Sequence, residues 1–286
     1  MSSEPTLRLC LFGPVRAYVD GEVAIDETFT RRKAKALLVL LYLERGRYLS
    51  RDELLEALWP NLDEPATDTG RLKQTAHVLR HALERARSRR TGWRYIVERE
   101  GSYFLNSRMA YQSDLEDVER ELRLAEAERR RGDAQASLAH FHRAFMLRRT
   151  DLLPEFRYES WAADHIAAER EGYLQALDQA ARLHGGRGEY ARAVELLRRA
   201  LREDPLRESS ALQLMEWLWR NGDQADAVRV YARLRDVLAA RLQLEPDHAV
   251  TALYEAIRRR RVPPPLASDV QFDRDASRAA SRPRSA

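Results

Sequence analysis

Apolar positions follow two different rhythms along the 286 residues. From Leu7 to Ile25 they come in short runs cut by turn residues: Leu7–Phe12, a break at Gly13-Pro14, Val15–Val19, then Asp20-Gly21 before Val23–Ile25. Such runs predict three short strands, with Asp-Gly the two-residue hairpin signal. Beyond Thr30 the spacing lengthens to that of a helix. Thr30 is placed to cap it, Ala34, Leu37, Leu38, Leu41 and Tyr42 form its buried face, and Gly46 ends it. A second helix opens at Ser50, where Ser50 and Glu53 can exchange hydrogen bonds as a capping box. It turns Leu54, Leu55 and Leu58 inward and stops at Trp59-Pro60. A polar connection then leads to a third helix, from about Thr67 to Ala86. Trp93–Val97 and Ser102–Leu105 follow as a strand pair turning at Gly101.

The third helix is the one the rest is arranged to present. Leu72, Ala76, Leu79 and Leu83 recur as a single apolar stripe. The remaining surface offers Arg71, Gln74, His77, Val78, Arg80 and His81, with Lys73 beside them. A helix anchored on one side and showing amide, imidazole and guanidinium groups on the other suits the reading of base edges in a major groove. The plainer alternative is a solvated basic face. Strand, helix, helix, exposed helix, hairpin is nevertheless the order of a winged helix-turn-helix, with the hairpin as the wing.

Charge sharpens this picture by its placement. The net charge is only +4, yet residues 1–110 carry 19 basic and 15 acidic side chains while the remainder carries 30 of each. Between Arg71 and Arg94 eight basic residues face one acid, Glu84. Candidate phosphate contacts are Arg31, Arg32, Lys35, Lys73, Arg89, Arg90, Arg94 and Arg99. Arg31, Arg32, Lys33 and Lys35 crowd the first turn of their helix, which costs about a few tenths of a kcal/mol each against the helix dipole. An anionic partner or a purely structural arrangement would account for them.

From Gln112 to Arg261 nearly everything has helical periodicity, beginning with a charged amphipathic helix at Asp114–Arg131. Arg187–Val194 (RGEYARAV) and Asn221–Val228 (NGDQADAV) repeat at a distance of 34 residues. Tyr190, Ala193, Leu197, Ala200 and Pro205 fall at tetratricopeptide spacing, as do Ala227, Tyr231 and Leu234, although Ala239 stands where proline is expected. Phe141 and Ala144 belong to an earlier, degenerate copy, and Trp161, Trp217 and Trp219 read as core. The fold class expected is mainly α: an N-terminal winged helix with a small β-sheet (1–108), tetratricopeptide-like helical repeats (112–261) and a disordered tail (262–286).

Leu11-Phe12-Gly13-Pro14, Arg32 with Lys35-Ala36-Leu37-Leu38, Leu54–Pro60, Ala66, Leu72–Leu83 and Gly101-Ser102-Tyr103 stand in an order and spacing that resembles one family. It is the response-regulator-type winged helix of the antibiotic-regulatory-protein (SARP) branch. The chain departs from that family at Val78 and in its longer, more basic loop after the helix. Leu152-Leu153-Pro154-Glu155 with Trp161, Asp204-Pro205-Leu206-Arg207-Glu208 and Leu244-Glu245-Pro246 are similar to the bacterial transcriptional activator domain that follows the winged helix there. The resemblance implies a sequence-specific activator that binds double-stranded operator DNA at direct repeats near a −35 element. It further implies recruitment of RNA polymerase, with homodimers allowed. Residues 1–110 would then suffice for DNA binding.

Other chemistry is poorly supported. No phosphate-cradling glycine loop, cysteine pair or nucleophile elbow is present, so no enzyme, cofactor or metal is expected. His77 and His81, at i and i+4, could share a metal, but no third ligand lies nearby in sequence. A single cysteine, Cys10, fits a reducing cytoplasm, where a nucleoid-associated regulator would reside. The longest apolar run, Ala36–Leu43, is too short to span a bilayer, and no membrane partner is expected. The alternative function is a protein-interaction scaffold whose winged helix is a docking module; the basic cluster at residues 71–94 speaks against it.

Overall fold

The computed structural model describes residues 6–60, 69–84, 92–106 and 108–259. The connection after Pro60, the loop holding Arg89 and Arg90, and the tail expected from residue 262 lie outside them. The elements are β1 (Thr6–Cys10), β2 (Arg16–Val19), β3 (Glu22–Ile25), α1 (Arg32–Leu43), β4 (Leu49–Ser50), α2 (Arg51–Leu58), α3 (Thr69–Leu83), β5 (Ile96–Arg99), β6 (Ser102–Leu105) and β7 (Ala110–Ser113). They continue with α4 (Asp114–Arg130), α5 (Ala134–Leu147), α6 (Ser160–Gly186), α7 (Tyr190–Glu203), α8 (Glu208–Arg220), α9 (Gln224–Leu242) and α10 (His248–Arg258). Two compact units, Met1–Glu171 and Gly172–Ala286, divide inside α6. The fold is mainly α, with the sheets confined to the first unit.

In the first unit β3-β2-β1-β7 form one sheet and β4-β6-β5 another. Both tight hairpins turn through two residues at positive φ, Asp20-Gly21 and Glu100-Gly101, the geometry that matches strand twist. The capping box of α2 is present: Ser50 Oγ accepts the Glu53 amide at 3.2 Å, and Glu53 accepts the Ser50 amide at 2.7 Å. The cap expected at Thr30 is not. Arg31 occupies that position without a side-chain bond, and Thr30 offers only its carbonyl, to the Arg32 amide. Helix α1 is also buried on more than the expected face: every residue from Ala34 to Tyr42 is buried, because α2, α3 and β6 pack against it.

Strand β7 has no counterpart in the sequence reading. It runs parallel to β1, with Thr6 opposite Ala110 and Leu9 opposite Ser113. Ser113 then caps α4, its Oγ accepting the Glu116 amide at 3.0 Å and the Tyr42 hydroxyl at 2.7 Å. Asp114 accepts the amides of Leu11 and Phe12 at 2.8 and 3.2 Å, and burial pushes its carboxyl above the ordinary value. The segment around Leu152-Leu153-Pro154-Glu155 returns to the same place. Leu153, at φ 48°, donates to the Leu11 carbonyl at 2.9 Å, and the Gly13 amide donates to Asp151 at 3.0 Å. The compact unit therefore runs on well past residue 110 and takes in α4 and α5.

The helical hairpins share one turn. Gly132, Gly188 and Gly222 all lie at positive φ, between 75° and 90°. In each, the amide of the following residue (Asp133, Glu189, Asp223) reaches back six residues less one, to Glu128, His184 and Leu218. Only glycine holds that conformation without strain, so the repeat read at Gly188 and Gly222 is a repeat of backbone geometry. Ala193, Leu197 and Ala200 on α7 and Ala227, Tyr231 and Leu234 on α9 are buried as the spacing requires. With Pro205 behind it α7 stops after 14 residues; with Ala239 in the matching place α9 continues for 19.

Candidate nucleic-acid interface

Helix α3 is seated by the predicted stripe: Leu72, Ala76, Leu79 and Leu83 are all buried. Arg71, Lys73, Gln74, His77 and His81 are exposed. Gln74, His77 and His81 lie at i, i+3 and i+7, so they form a single row along the helix. Its flanks hold Arg71 and Lys73 on α3 itself, Arg31 at the exposed start of α1, and Arg94 and Arg99 at the wing. Arg99, at the wing's turn, lies 3.9 Å from Glu100 and is largely solvated. Arg89 and Arg90 fall outside the described residues.

Two of the six candidate base contacts, Val78 and Arg80, are half buried. Arg80 is half buried; its Nε donates to the Ile96 carbonyl at 3.0 Å, and its guanidinium lies 5.7 Å from the rings of both Trp93 and Tyr103. It ties α3 to the wing instead of facing outward. Val78 is half buried against the core, where its methyl groups, with Gln74 and Thr75, line a recess of about 370 Å³ beside Thr30–Ala34. Of the six candidates, Arg71, Gln74, His77 and His81 are the exposed ones.

The first turn of α1 needs a larger correction. Lys35 is 5% exposed with its amine 3.8 Å from Glu155, and Arg32 pairs with Glu159 at 2.7 Å while donating to the Glu155 carbonyl at 2.8 Å. Glu155 also accepts the Val15 amide at 2.8 Å. Lys33 donates to the Leu58 carbonyl, its amine 6.0 Å from the Trp59 ring. Of the two explanations the sequence left for this cluster, the structural one has partners on the chain itself: carboxylates for Arg32 and Lys35, and a backbone carbonyl for Lys33. Arg31 is exposed, and the Arg32 side chain stays half exposed beside its partners. Nothing in local sequence announces Glu155 and Glu159 as partners, since they lie more than a hundred positions away.

Glu84, the lone acid of the basic stretch, is buried where α3 meets the wing. It accepts the amides of Arg94 and Tyr95 at 2.8 and 3.1 Å, and the Arg94 guanidinium lies 3.7 Å away. Arg94 is thus held at the base of the wing with its head group at the surface. No group of three metal-capable side chains occurs among the described residues, and no described helix is long and apolar enough to cross a membrane.

The family described as bacterial transcriptional activator domain matches residues 113–258. The regulatory protein AfsR of Streptomyces coelicolor is 30% identical over 255 residues, and AfsR of Streptomyces griseus is 29% identical over the same length. Each alignment covers 88% of this chain but 24% of the relative, so the chain spans about a quarter of the length of these curated proteins. Among solved structures, Mycobacterium tuberculosis EmbR, in complex with a low affinity phosphopeptide, superposes with a TM-score of 0.76 at 23% identity. That match covers 97% of this chain and 71% of EmbR, and it shows a shared fold.

Proposed function

As a member of the bacterial transcriptional activator domain family, the chain is a transcriptional regulator of the SARP type, and we propose that it activates by binding operator DNA through α3. One observation carries the proposal: a helix buried along one stripe presents Gln74, His77 and His81 in a row, flanked by cations and a wing. Gln74 can pair with adenine through two hydrogen bonds, and imidazole can donate to guanine or accept from a base amino group. Lys73, Arg31, Arg94 and Arg99, joined by Arg89 and Arg90, supply phosphate contacts that fix register without reading sequence. The helical region contacts RNA polymerase, and homodimers occupy repeated half-sites.

The test is equilibrium binding of the full chain to a selected duplex and a scrambled one at several salt concentrations. Log K should fall steeply with log salt on both. Lys73→Ala should weaken both duplexes alike and flatten the slope by about one unit. Gln74→Ala should cost roughly 1–3 kcal/mol on the selected duplex alone and relax preference at one base pair. Salt-independent affinity, or a Gln74→Ala effect equal on both duplexes, would sink the reading.

The scaffold alternative has one observation in its favour. A cleft of about 280 Å³ on the second unit is floored by Leu201, Pro205, Ala211, Leu214, Val230 and Leu234 and rimmed by Arg198, Arg202 and Arg233. It would suit an acidic segment of a protein partner. Duplex binding that survives Arg202→Glu and Arg233→Glu while activation is lost would assign the cleft to polymerase contact within the first reading.

A further inference from the structure

Next to the row of exposed α3 side chains stands a residue that touches the helix from another element. Trp93, half buried just before β5, lies edge-on to His81, with ring centroids 5.1 Å apart and planes at 76°. His77 is 6.5 Å from the same indole at 88°, and the two imidazoles are 4.3 Å apart at 67°. Arg80 lies 5.7 Å from Trp93 and is itself fixed by its bond to the Ile96 carbonyl. The four side chains make one stack that joins the exposed helix to the first strand of the wing.

An exposed histidine on a helix ordinarily samples several rotamers, and a hydrogen bond to a base edge tolerates only a few tenths of an ångström of displacement. An indole edge against the imidazole narrows that choice before DNA arrives, because aromatic pairs favour edge-to-face packing over loose contact. Gln74, which has no ring, takes no part in this edge-to-face packing. Arg80 shows what holds the indole: a guanidinium against it, pinned to wing backbone. The two histidines therefore meet a duplex as an oriented pair, one helical turn apart, spanning adjacent base pairs.

We propose that Trp93 is a specificity-determining positioning residue: it touches no base, yet it sets the base preference read by His77 and His81. This rests on the DNA reading given above. Its prediction is a coupling between a wing residue and two helix residues that a simple phosphate-binding wing would not show. Loss of Trp93 costs discrimination at the two histidine positions and leaves the rest of the site, including the position of Gln74, unchanged.

The experiment uses the full chain and a randomised duplex pool, followed by affinities on the selected and a scrambled duplex. Trp93→Leu keeps apolar bulk and removes the ring edge. It should lower the selected-to-scrambled ratio by about tenfold, within the range for one lost base contact. It should flatten the same positions that His77→Ala and His81→Ala flatten, with binding to the scrambled duplex unaltered. Trp93→Phe should restore the profile, and Trp93→Leu should add nothing in a His77→Ala/His81→Ala background. An intact profile in Trp93→Leu overturns the proposal, as does equal weakening on both duplexes with no rescue by phenylalanine. A wild-type chain that prefers no duplex at all removes the DNA reading itself, which is a different result from either.

Discussion

A single carboxylate shows how much one residue of this fold can hold. Asp114 spends both oxygens on backbone amides of Leu11 and Phe12, two buried residues at the end of β1. Burial raises its carboxyl above the ordinary value, and the bonds from the two amides oppose that shift only in part. Asp114→Ala should destabilise the chain by roughly 1–3 kcal/mol for each amide left without a partner. Asp114→Asn, which keeps one acceptor oxygen, should recover about half of that loss. Urea unfolding of the full chain reads both. A change under about 0.5 kcal/mol for the alanine variant would mean that water replaces the carboxylate at no cost.

At the scale of the element, close approach of helices is set by what is missing from a side chain. A Cβ on Gly185, in the last turn of α6, would fall 2.5 Å from the ring of Trp217 on α8. That indole is buried and stacked at 6.0 Å on Tyr190, so it has nowhere to retreat. Gly185→Ala should therefore cost roughly 1–3 kcal/mol by overpacking, despite alanine's better helix propensity. Gly186→Ala, one residue on, meets nothing within contact distance and serves as the control. Thermal unfolding followed by circular dichroism should separate the two variants clearly; equal midpoints would show that α8 shifts to accommodate the methyl group.

At the scale of the molecule, segments beyond residue 110 complete the packing of the N-terminal unit. Strand β7 lies on the far edge of β1, Asp114 closes the end of that strand, and Glu155 and Glu159 neutralise the start of α1. Truncation after residue 110 removes all three and leaves Lys35 without its anion. A fragment of residues 1–110 should be poorly folded, with little protection of β1 amides from hydrogen exchange. A fragment of residues 1–171 should fold and bind the selected duplex within about threefold of the full chain. Equal folding of both fragments would show that the first unit tolerates loss of the later segments.

Local rules were enough for most of the elements. The Ser50–Glu53 box, the Asp20-Gly21 and Glu100-Gly101 turns, the Leu72–Leu83 stripe and the glycine-turned repeats each depend on residues a few positions apart. Interactions of that range leave a period or a spacing that can be read directly from the chain. The exposed row of Gln74, His77 and His81 was legible for the same reason, being the complement of a buried stripe. What only the tertiary structure decided involves partners distant in sequence. A four-residue strand, β7, has no period of its own long enough to detect, and it exists because β1 offers an open edge. The cations of α1 look the same in sequence whether they meet a phosphate or a glutamate more than a hundred residues later. Their assignment, with the turning of Arg80 onto the wing and the placing of Trp93 against two histidines, follows from packing between elements, which spacing along the chain does not encode.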